Sequence, residues 1–308
     1  MHLLTIIIPT YNGSKTLGRL VNNLIQVFKK IKIEIIIIND YSKDNTDIIC
    51  RKLNKKFPKI ISYLKLSKNY GEHNAVMAGL KHSKGSLAII MDDDNQNTAK
   101  EAYKLYNYSI KKNYDVVYTK YIEKKDSLLR KFMSKIANYS AKLLINKPSG
   151  VYLSSFKSIK RNLINNIVLY SGPFPYIDGL ILSKTNSIGT CLVKHESRKY
   201  GKSNYSLLKL LKLYSNLIIN FSTVPIHIFS MIGILLTIFS VILIIITIVE
   251  KMTLPNVPLG YSMLITILLF FSGVQFLFLG LLGEYIGKIL KNVNKDDQYL
   301  ISSIIKKK

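Results

Sequence analysis

Three consecutive carboxylates, Asp92, Asp93 and Asp94, follow the apolar run Leu87-Ala88-Ile89-Ile90-Met91. Adjacent like charges repel, so the triplet costs stability unless a cation sits among them. Residues at i and i+2 of an extended segment face the same side. Asp92 and Asp94 can therefore offer hard oxygen ligands to a Mg²⁺ or Mn²⁺ ion that also grips a diphosphate. A solvated acidic turn is the other reading of the same residues. The apolar run, ending abruptly in polar residues, has the pattern of a buried parallel strand whose carboxyl end opens into a ligand crevice.

The elements that must position this triplet alternate between strand and helix. Leu4 to Ile8 reads as a short buried strand closed by Pro9, after which Ser14 caps a helix with Leu17, Leu20, Val21, Leu24 and Phe28 on one face. Ile33 to Ile38 forms a second strand ending at Asn39-Asp40, followed by a helix from about Asp44 to Lys56 and a strand at Ile60 to Leu66. The loop Ser67-Lys68-Asn69-Tyr70-Gly71 leads into a helix over His73 to His82. The acidic strand comes next, then a helix around Thr98 to Lys112 and a strand at Asp115 to Thr119. This alternation predicts an α/β fold with a doubly wound, mostly parallel sheet. Handedness rules set the carboxyl ends of the strands along one edge, so Thr10, Asp40, Lys68 and Asp92 are expected to share a crevice.

Across 308 residues Lys and Arg outnumber Asp and Glu by 44 to 18, a net charge of +26. An anionic membrane surface, phosphorylated substrates, nucleic acid or a codon bias toward Lys, Ile and Asn would each give such an excess. Nucleic acid is disfavoured, because no helix-turn-helix, zinc-finger or aromatic RNA-binding pattern accompanies it. Cys50 and Cys191 match no metal or redox spacing, which points to a reducing cytosolic setting. The N-terminus lacks a basic leader region and reads as a first strand rather than a signal peptide.

The second half changes character. Ser127 to Asn146 reads as an amphipathic helix, with Leu128, Leu129, Phe132 and Ile136 set against Arg130, Lys131 and Lys135. It fits either a helix packed on the core or one lying in a membrane interface. Residues 206–222 repeat the theme. Ile228 to Val249 and Tyr261 to Leu282 are uncharged apolar runs of membrane-spanning length. Two spans place both ends on one side, and the basic body with the 286–308 tail places that side in the cytoplasm. The expected division is a catalytic domain over 1–205, a juxtamembrane helix over 206–222, two spans within 223–285 and a basic tail.

Four ordered motifs then resemble those of family 2 glycosyltransferases with a GT-A fold: Ile8-Pro9-Thr10-Tyr11-Asn12, Asn39-Asp40-Tyr41-Ser42, Asn69-Tyr70-Gly71-Glu72-His73-Asn74 and Asp92-Asp93-Asp94-Asn95-Gln96. Arg198-Lys199-Tyr200-Gly201-Lys202-Ser203, followed by the two spans, is similar to the polyprenyl-phosphate branch, which includes bactoprenol glucosyltransferases and dolichyl-phosphate mannose synthases. The resemblance implies that Pro9, Thr10, Tyr11, Asn12, Asp40, Lys68 and Asp93 hold a nucleotide sugar. It implies that Asp92, Asp94 and Gln96 hold the Mg²⁺ or Mn²⁺, with Asp92, Asp94 and Arg198 as catalytic residues. Lys120, Arg130, Ser134 and Arg198 would take the acceptor phosphate. Arg130 and Ser134, at i and i+4, lie on one helix face. Ser203 would sit on a loop closing over the donor. From the residues alone, Tyr11 also fits core packing, Asp40 helix capping and Arg130 a solvated charge. A homo-oligomer is a further implication.

The implied reaction is inverting transfer of a hexose, glucose as the leading expectation, from a UDP-sugar to undecaprenyl phosphate at the cytoplasmic membrane face. Two rivals remain at this stage: a transferase extending a lipid-linked saccharide, and a non-catalytic scaffold that binds nucleotide sugars. Several positions depart from the family pattern. Gly13 replaces an acidic residue, and Asn39 and Tyr41 interrupt an Asp-Asp-Gly. Ser155 stands where many relatives place an Asp proposed as catalytic base. An ionised phosphate acceptor needs no such base; a sugar hydroxyl would need one from elsewhere, such as Asp178 or Asp93.

Overall fold

The computed structural model describes residues 3–121, 151–173, 175–194, 224–253, 260–293 and 297–307, apart from some side chains within 224–293. The helices expected over 127–146 and 206–222 lie outside the described residues, and Arg130, Ser134, Arg198 and Ser203 lie outside them as well. The chain divides into two compact units, Met1–Ser206 with Lys295–Lys308, and Leu207–Asn294.

The first unit is built on an eight-stranded sheet. Its strands are β1 (Leu4–Thr10), β2 (Ile33–Asn39), β3 (Ile61–Leu66), β4 (Leu87–Ile90), β5 (Val116–Tyr121), β6 (Lys157–Lys160), β7 (Ile188–Val193) and β8 (Ile301–Ile305). Their order across the sheet is β7-β5-β6-β4-β1-β2-β3-β8. Every residue of β1 and β2 is buried, as the continuous β-branched runs require of strands covered on both faces. Helices α1 (Leu17–Val27), α2 (Thr46–Lys56) and α4 (Ala99–Lys112) cover one face, and α3 (Glu72–His82), α5 (Arg161–Ile167) and α6 (Ile177–Leu182) the other. Each fully buried Ile or Leu contributes roughly 1.5–3 kcal/mol. Gly79 lets α3 lie close: a Cβ there would come within 2.5 Å of Ile7 Cγ2.

The chain runs from β1 outward through β2 to β3, then crosses back to lay β4 on the other side of β1. That reversal is the switch point at which open α/β sheets bind ligands, and Asp92 follows β4 directly there. The expected parallel pairs are present, with Ile7 opposite Ile90 and Ile8 opposite Ile37. The sheet is more mixed than the sequence suggests. β6 runs antiparallel to β4 and β5, and β8 antiparallel to β3. One boundary also shifts. Thr16, not Ser14, stands at the N-cap of α1, and Ser14 instead donates its N–H to Asp44 Oδ2 at 3.2 Å. By contrast, α4 starts where expected, with Thr98 as its cap, accepting from Glu101 N.

The segment read as a basic tail is structured. Tyr63 lies opposite Ile305 in the ladder, and Lys307 Nζ reaches Glu34 Oε2 at 2.8 Å. Glu34, 2% exposed, also accepts from Thr5 Oγ1 at 2.6 Å and from Lys84 N at 2.6 Å. Burial would raise its pKa. These hydrogen bonds and the Lys307 charge overcome that and hold it below the usual carboxylate value.

The second unit holds α7 (Val224–Thr253) and α8 (Tyr261–Val293), of 30 and 33 residues. Phe229 and Phe278 meet between them at 6.0 Å. Ile234, Leu235, Ile238 and Phe239 are among the exposed apolar side chains of α7. Over the described residues alone, no helix is long and apolar enough to cross a membrane. The two spans expected over 228–249 and 261–282 therefore rest on the sequence.

Candidate active site

Past Ile90 the chain stays tied to β1, Met91 N donating to Ile7 O at 3.1 Å, and then the three carboxylates diverge. Asp93 turns inward and accepts from Thr10 Oγ1. Burial, followed by the charges of Asp92 and Asp94, pushes Asp93 up to about 6 against that hydrogen bond. Asp94 Oδ1 accepts the N–H of Gln96 at 3.0 Å in an Asx turn, with Asn95 at φ 61°. Asp92 Oδ2 accepts from Ser155 Oγ at 2.7 Å. Gly13 is explained by this arrangement, since a Cβ there would lie 1.9 Å from Asp93 Oδ2 and 2.5 Å from Thr10 Oγ1. The inward Asp93 fills the space that an acidic side chain at 13 would need.

The donor side of the crevice is braced from loop to loop. Asp40 N donates to Thr10 O at 2.9 Å, while the Asp40 carboxylate accepts from Tyr70 N at 2.7 Å and Gly71 N at 2.8 Å. Burial pushes Asp40 upward, and those two amide bonds oppose it. Neighbouring Asn39 is fully buried, donating to Tyr63 OH and accepting from Ser42 N. Tyr63 OH in turn donates to Asp47, which leaves its oxygen free to accept and suits an amide at position 39 better than a carboxylate. Asn12 and Tyr41 both adopt left-handed φ, 58° and 60°. Asn12 N donates to Ser42 Oγ at 2.9 Å, and Lys43 N donates to Asn12 Oδ1 at 2.9 Å. Thr10 is buried, Tyr11 is 43% exposed, and Pro9 is buried in β1 where the ladder to β4 has already ended. Lys68 Nζ sits 5.0 Å from the ring centre of Tyr70, on the loop tied to Asp40.

Opposite the donor side, Lys157 is buried and paired with Asp178, which also accepts from Tyr118 OH at 2.9 Å. Asp178 is thus committed to structure, which weakens it as a substitute base. Glu72 lies at the N-terminal turn of α3. Desolvation first, then the Asp92 charge, pushes it up to about 7. Burial drives His73 down to about 4, a neutral ring at physiological pH, set edge-on to Tyr176 at 5.2 Å. Tyr121, at the end of β5, is pushed up to about 12 by burial while sharing a hydrogen bond with Asn97. Lys120 is exposed and, by strand alternation, lies on the opposite face from Tyr121.

Of the expected donor-site residues, Thr10, Asn12, Asp40 and Asp93 form one linked network beside Asp92 and Asp94. Gln96 enters it through its backbone. Lys120 stands apart from that network. Ser42, bonded to Asn12 and Asn39, and Ser155, bonded to Asp92, were not anticipated as parts of it. Among the described residues no three His, Cys, Asp or Glu side chains converge to hold a metal ion by themselves. Two carboxylates completed by diphosphate oxygens and water are nevertheless a usual Mg²⁺ set, and Asp92 and Asp94 are of the donor type for a cation that arrives with its nucleotide.

The Glycosyl transferase family 2 model matches residues 5–168, and the GtrB C-terminal hairpin model matches residues 224–289. An undecaprenyl-phosphate 4-deoxy-4-formamido-L-arabinose transferase of Yersinia enterocolitica is 30% identical over 306 residues, covering 98% of this chain and 93% of that protein. The Proteus mirabilis protein of the same description is 30% identical over 307 residues, with the same coverage. In fold, glucosyl-3-phosphoglycerate synthase from Mycobacterium tuberculosis, crystallised with Mn²⁺, uridine diphosphate and glucosyl-3-phosphoglycerate, superposes with a TM-score of 0.53. That match is at 15% identity over 71% of this chain and 78% of that one. On this evidence the chain belongs to glycosyl transferase family 2, in the branch that carries the GtrB C-terminal hairpin.

Proposed function

We propose that this chain transfers a glycosyl group from a UDP-sugar to the phosphate of a polyprenyl lipid, undecaprenyl phosphate, at the cytoplasmic face of a membrane. The observation that carries the acceptor class is the state of the carboxylates around the acidic strand end. Position 155 bears a hydroxyl, Asp93 is turned onto Thr10, and Asp178 is held by Lys157 and Tyr118. A sugar hydroxyl would need a base, and beside these three positions and the metal pair Glu72 is the remaining described carboxylate there. A phosphate monoester, with a second pKa of about 6, arrives already ionised.

In the reaction a lipid-phosphate oxygen forms a bond to the anomeric carbon as the bond to the β-phosphate oxygen breaks. The electron pair leaves with UDP, and the configuration inverts. Asp92 and Asp94 would hold a Mg²⁺ or Mn²⁺ ion. When bound, that ion supplies charge neutralisation on the departing diphosphate. Asp40, Thr10 and Asn12 fix the loops that receive the nucleoside, and Lys68 adds positive charge at the loop edge. Lys120, Arg130, Ser134 and Arg198 are proposed for the lipid phosphate on the resemblance alone.

The membrane part of the proposal rests on the two C-terminal helices. An uncharged apolar run of about 20 residues matches the ~30 Å hydrocarbon core. Residues 228–249 carry no charge. Two crossings would keep both termini cytoplasmic. The names of the two relatives support the lipid acceptor and offer a sugar other than the expected glucose. The test feeds membranes carrying the chain with labelled UDP-glucose, UDP-N-acetylglucosamine, GDP-mannose and UDP-4-deoxy-4-formamido-L-arabinose. Label is expected in a lipid monophosphate from one UDP-sugar and absent with Asp92→Asn. An extended glycan product would instead favour a polymer-extending transferase. No lipid label from any donor would reject the proposal.

A further inference from the structure

We propose that Ser155 is a positioning residue for Asp92, its hydroxyl fixing that carboxylate for the cation and donor diphosphate. The inference rests on the metal-assisted reading above and assigns a role to a residue that departs from the family pattern. Its basis is the sheet register. β6 pairs antiparallel with β4, Ile90 lying opposite Lys157. Two residues further on, the same register sets Asp92 opposite Ser155. The hydrogen bond of 2.7 Å from Ser155 Oγ to Asp92 Oδ2 is the closure of that ladder by side chains.

Both neighbours of Ser155 are pinned. Ser154, 4% exposed, is bonded to Thr119 Oγ1 at 2.9 Å and donates to Phe156 O at 2.7 Å. Phe156 is fully buried, and Lys157 is locked into its ion pair with Asp178. A donor held on both sides has little freedom to lose on bonding Asp92, which makes the contact one of preorganisation. An Asp at 155 would have no proton to give at neutral pH. It would present a second carboxylate directly across from Asp92.

The full-length chain in detergent, with saturating UDP, is titrated with Mn²⁺, and free Mn²⁺ is followed by electron paramagnetic resonance. Ser155→Ala is expected to weaken Mn²⁺ binding by about tenfold, the lower end of what loss of a ligand-orienting hydrogen bond brings. Its melting temperature should match that of the wild type. Ser155→Thr, which keeps the hydroxyl, should restore affinity to within about twofold. Ser155→Asp should give no rise in kcat with polyprenyl phosphate. Unchanged Mn²⁺ affinity in Ser155→Ala overturns the proposal, as does failure of Thr to restore it, a gain in kcat from Asp, or a wild type that binds no Mn²⁺ with UDP. A wild type that binds Mn²⁺ and UDP yet transfers nothing to lipid phosphate would sink the acceptor assignment and leave the role of Ser155 standing.

Discussion

Two clusters built on the same three residue types sit in different parts of the sheet. In one, Asp47 accepts from Tyr63 OH at 2.7 Å and Lys65 Nζ at 2.8 Å, with Arg51 added at 3.0 Å. In the other, Asp178 accepts from Tyr118 OH and from Lys157 Nζ. Each is a Tyr-Asp-Lys trio joining strand to helix, yet the side chains of Asp47 and Lys65 are both 27% exposed, while Lys157 and Asp178 are 4% and 10% exposed. Water screens the first pair and little reaches the second. The same three groups therefore act as a modest brace in one place and as an indivisible unit in the other.

Breaking the buried trio should have the largest effect. Asp178→Asn leaves the Lys157 charge without its counter-ion and is expected to cost about 3–5 kcal/mol, read as a large drop in the melting temperature of the full-length chain. Replacing both charges, Lys157→Met with Asp178→Leu, should recover most of that loss. A residual cost of about 1–3 kcal/mol is expected, since Tyr118 OH is left without its acceptor. At the exposed trio, Asp47→Asn should cost less than about 1 kcal/mol, and the cost should shrink further in high salt. Equal losses for Asp178→Asn and Asp47→Asn would show that burial does not separate the two clusters.

Acid sharpens the contrast from the other side. Burial raises the Asp47 pKa, but Lys65 and Tyr63 outweigh it and the folded value lies below the usual carboxylate range. A lowered folded value means that stability is fully present above the unfolded pKa of about 3.9 and is lost as pH falls through the folded value. Glu34 follows the same sign through Lys307. Melting curves should therefore fall between about pH 4 and pH 2. Asp47→Asn should remove part of that slope, whereas its stability at pH 7 changes little.

The sequence made the donor side readable because its information is local. Runs of β-branched residues mark β1, β2 and β4, and the acidic triplet follows one of them without interruption. The Ser155 side was not readable in the same way. β6 is Lys157-Ser158-Ile159-Lys160, four residues with a lysine at each end, which resembles an exposed turn more than a buried strand. Lys157 is tolerated there only because Asp178, far along the chain, neutralises it. β8 was missed for a related reason, since Ile301-Ser302-Ser303-Ile304-Ile305 finds its partner Tyr63 across more than two-thirds of the sequence. Tyr41 breaks a local rule outright: a left-handed φ at a non-glycine costs roughly 1–2 kcal/mol, and periodicity gives no warning of it.

The return of β8 to the sheet also dictates an order of events during synthesis. The first unit holds seven of its eight strands once residue 194 has been made, but the outer edge of β3 keeps a row of unpaired amides and carbonyls until Ile301–Ile305 has left the ribosome. Such an edge invites pairing with other chains. A nascent protein thus carries an adhesive margin throughout production of the apolar hairpin.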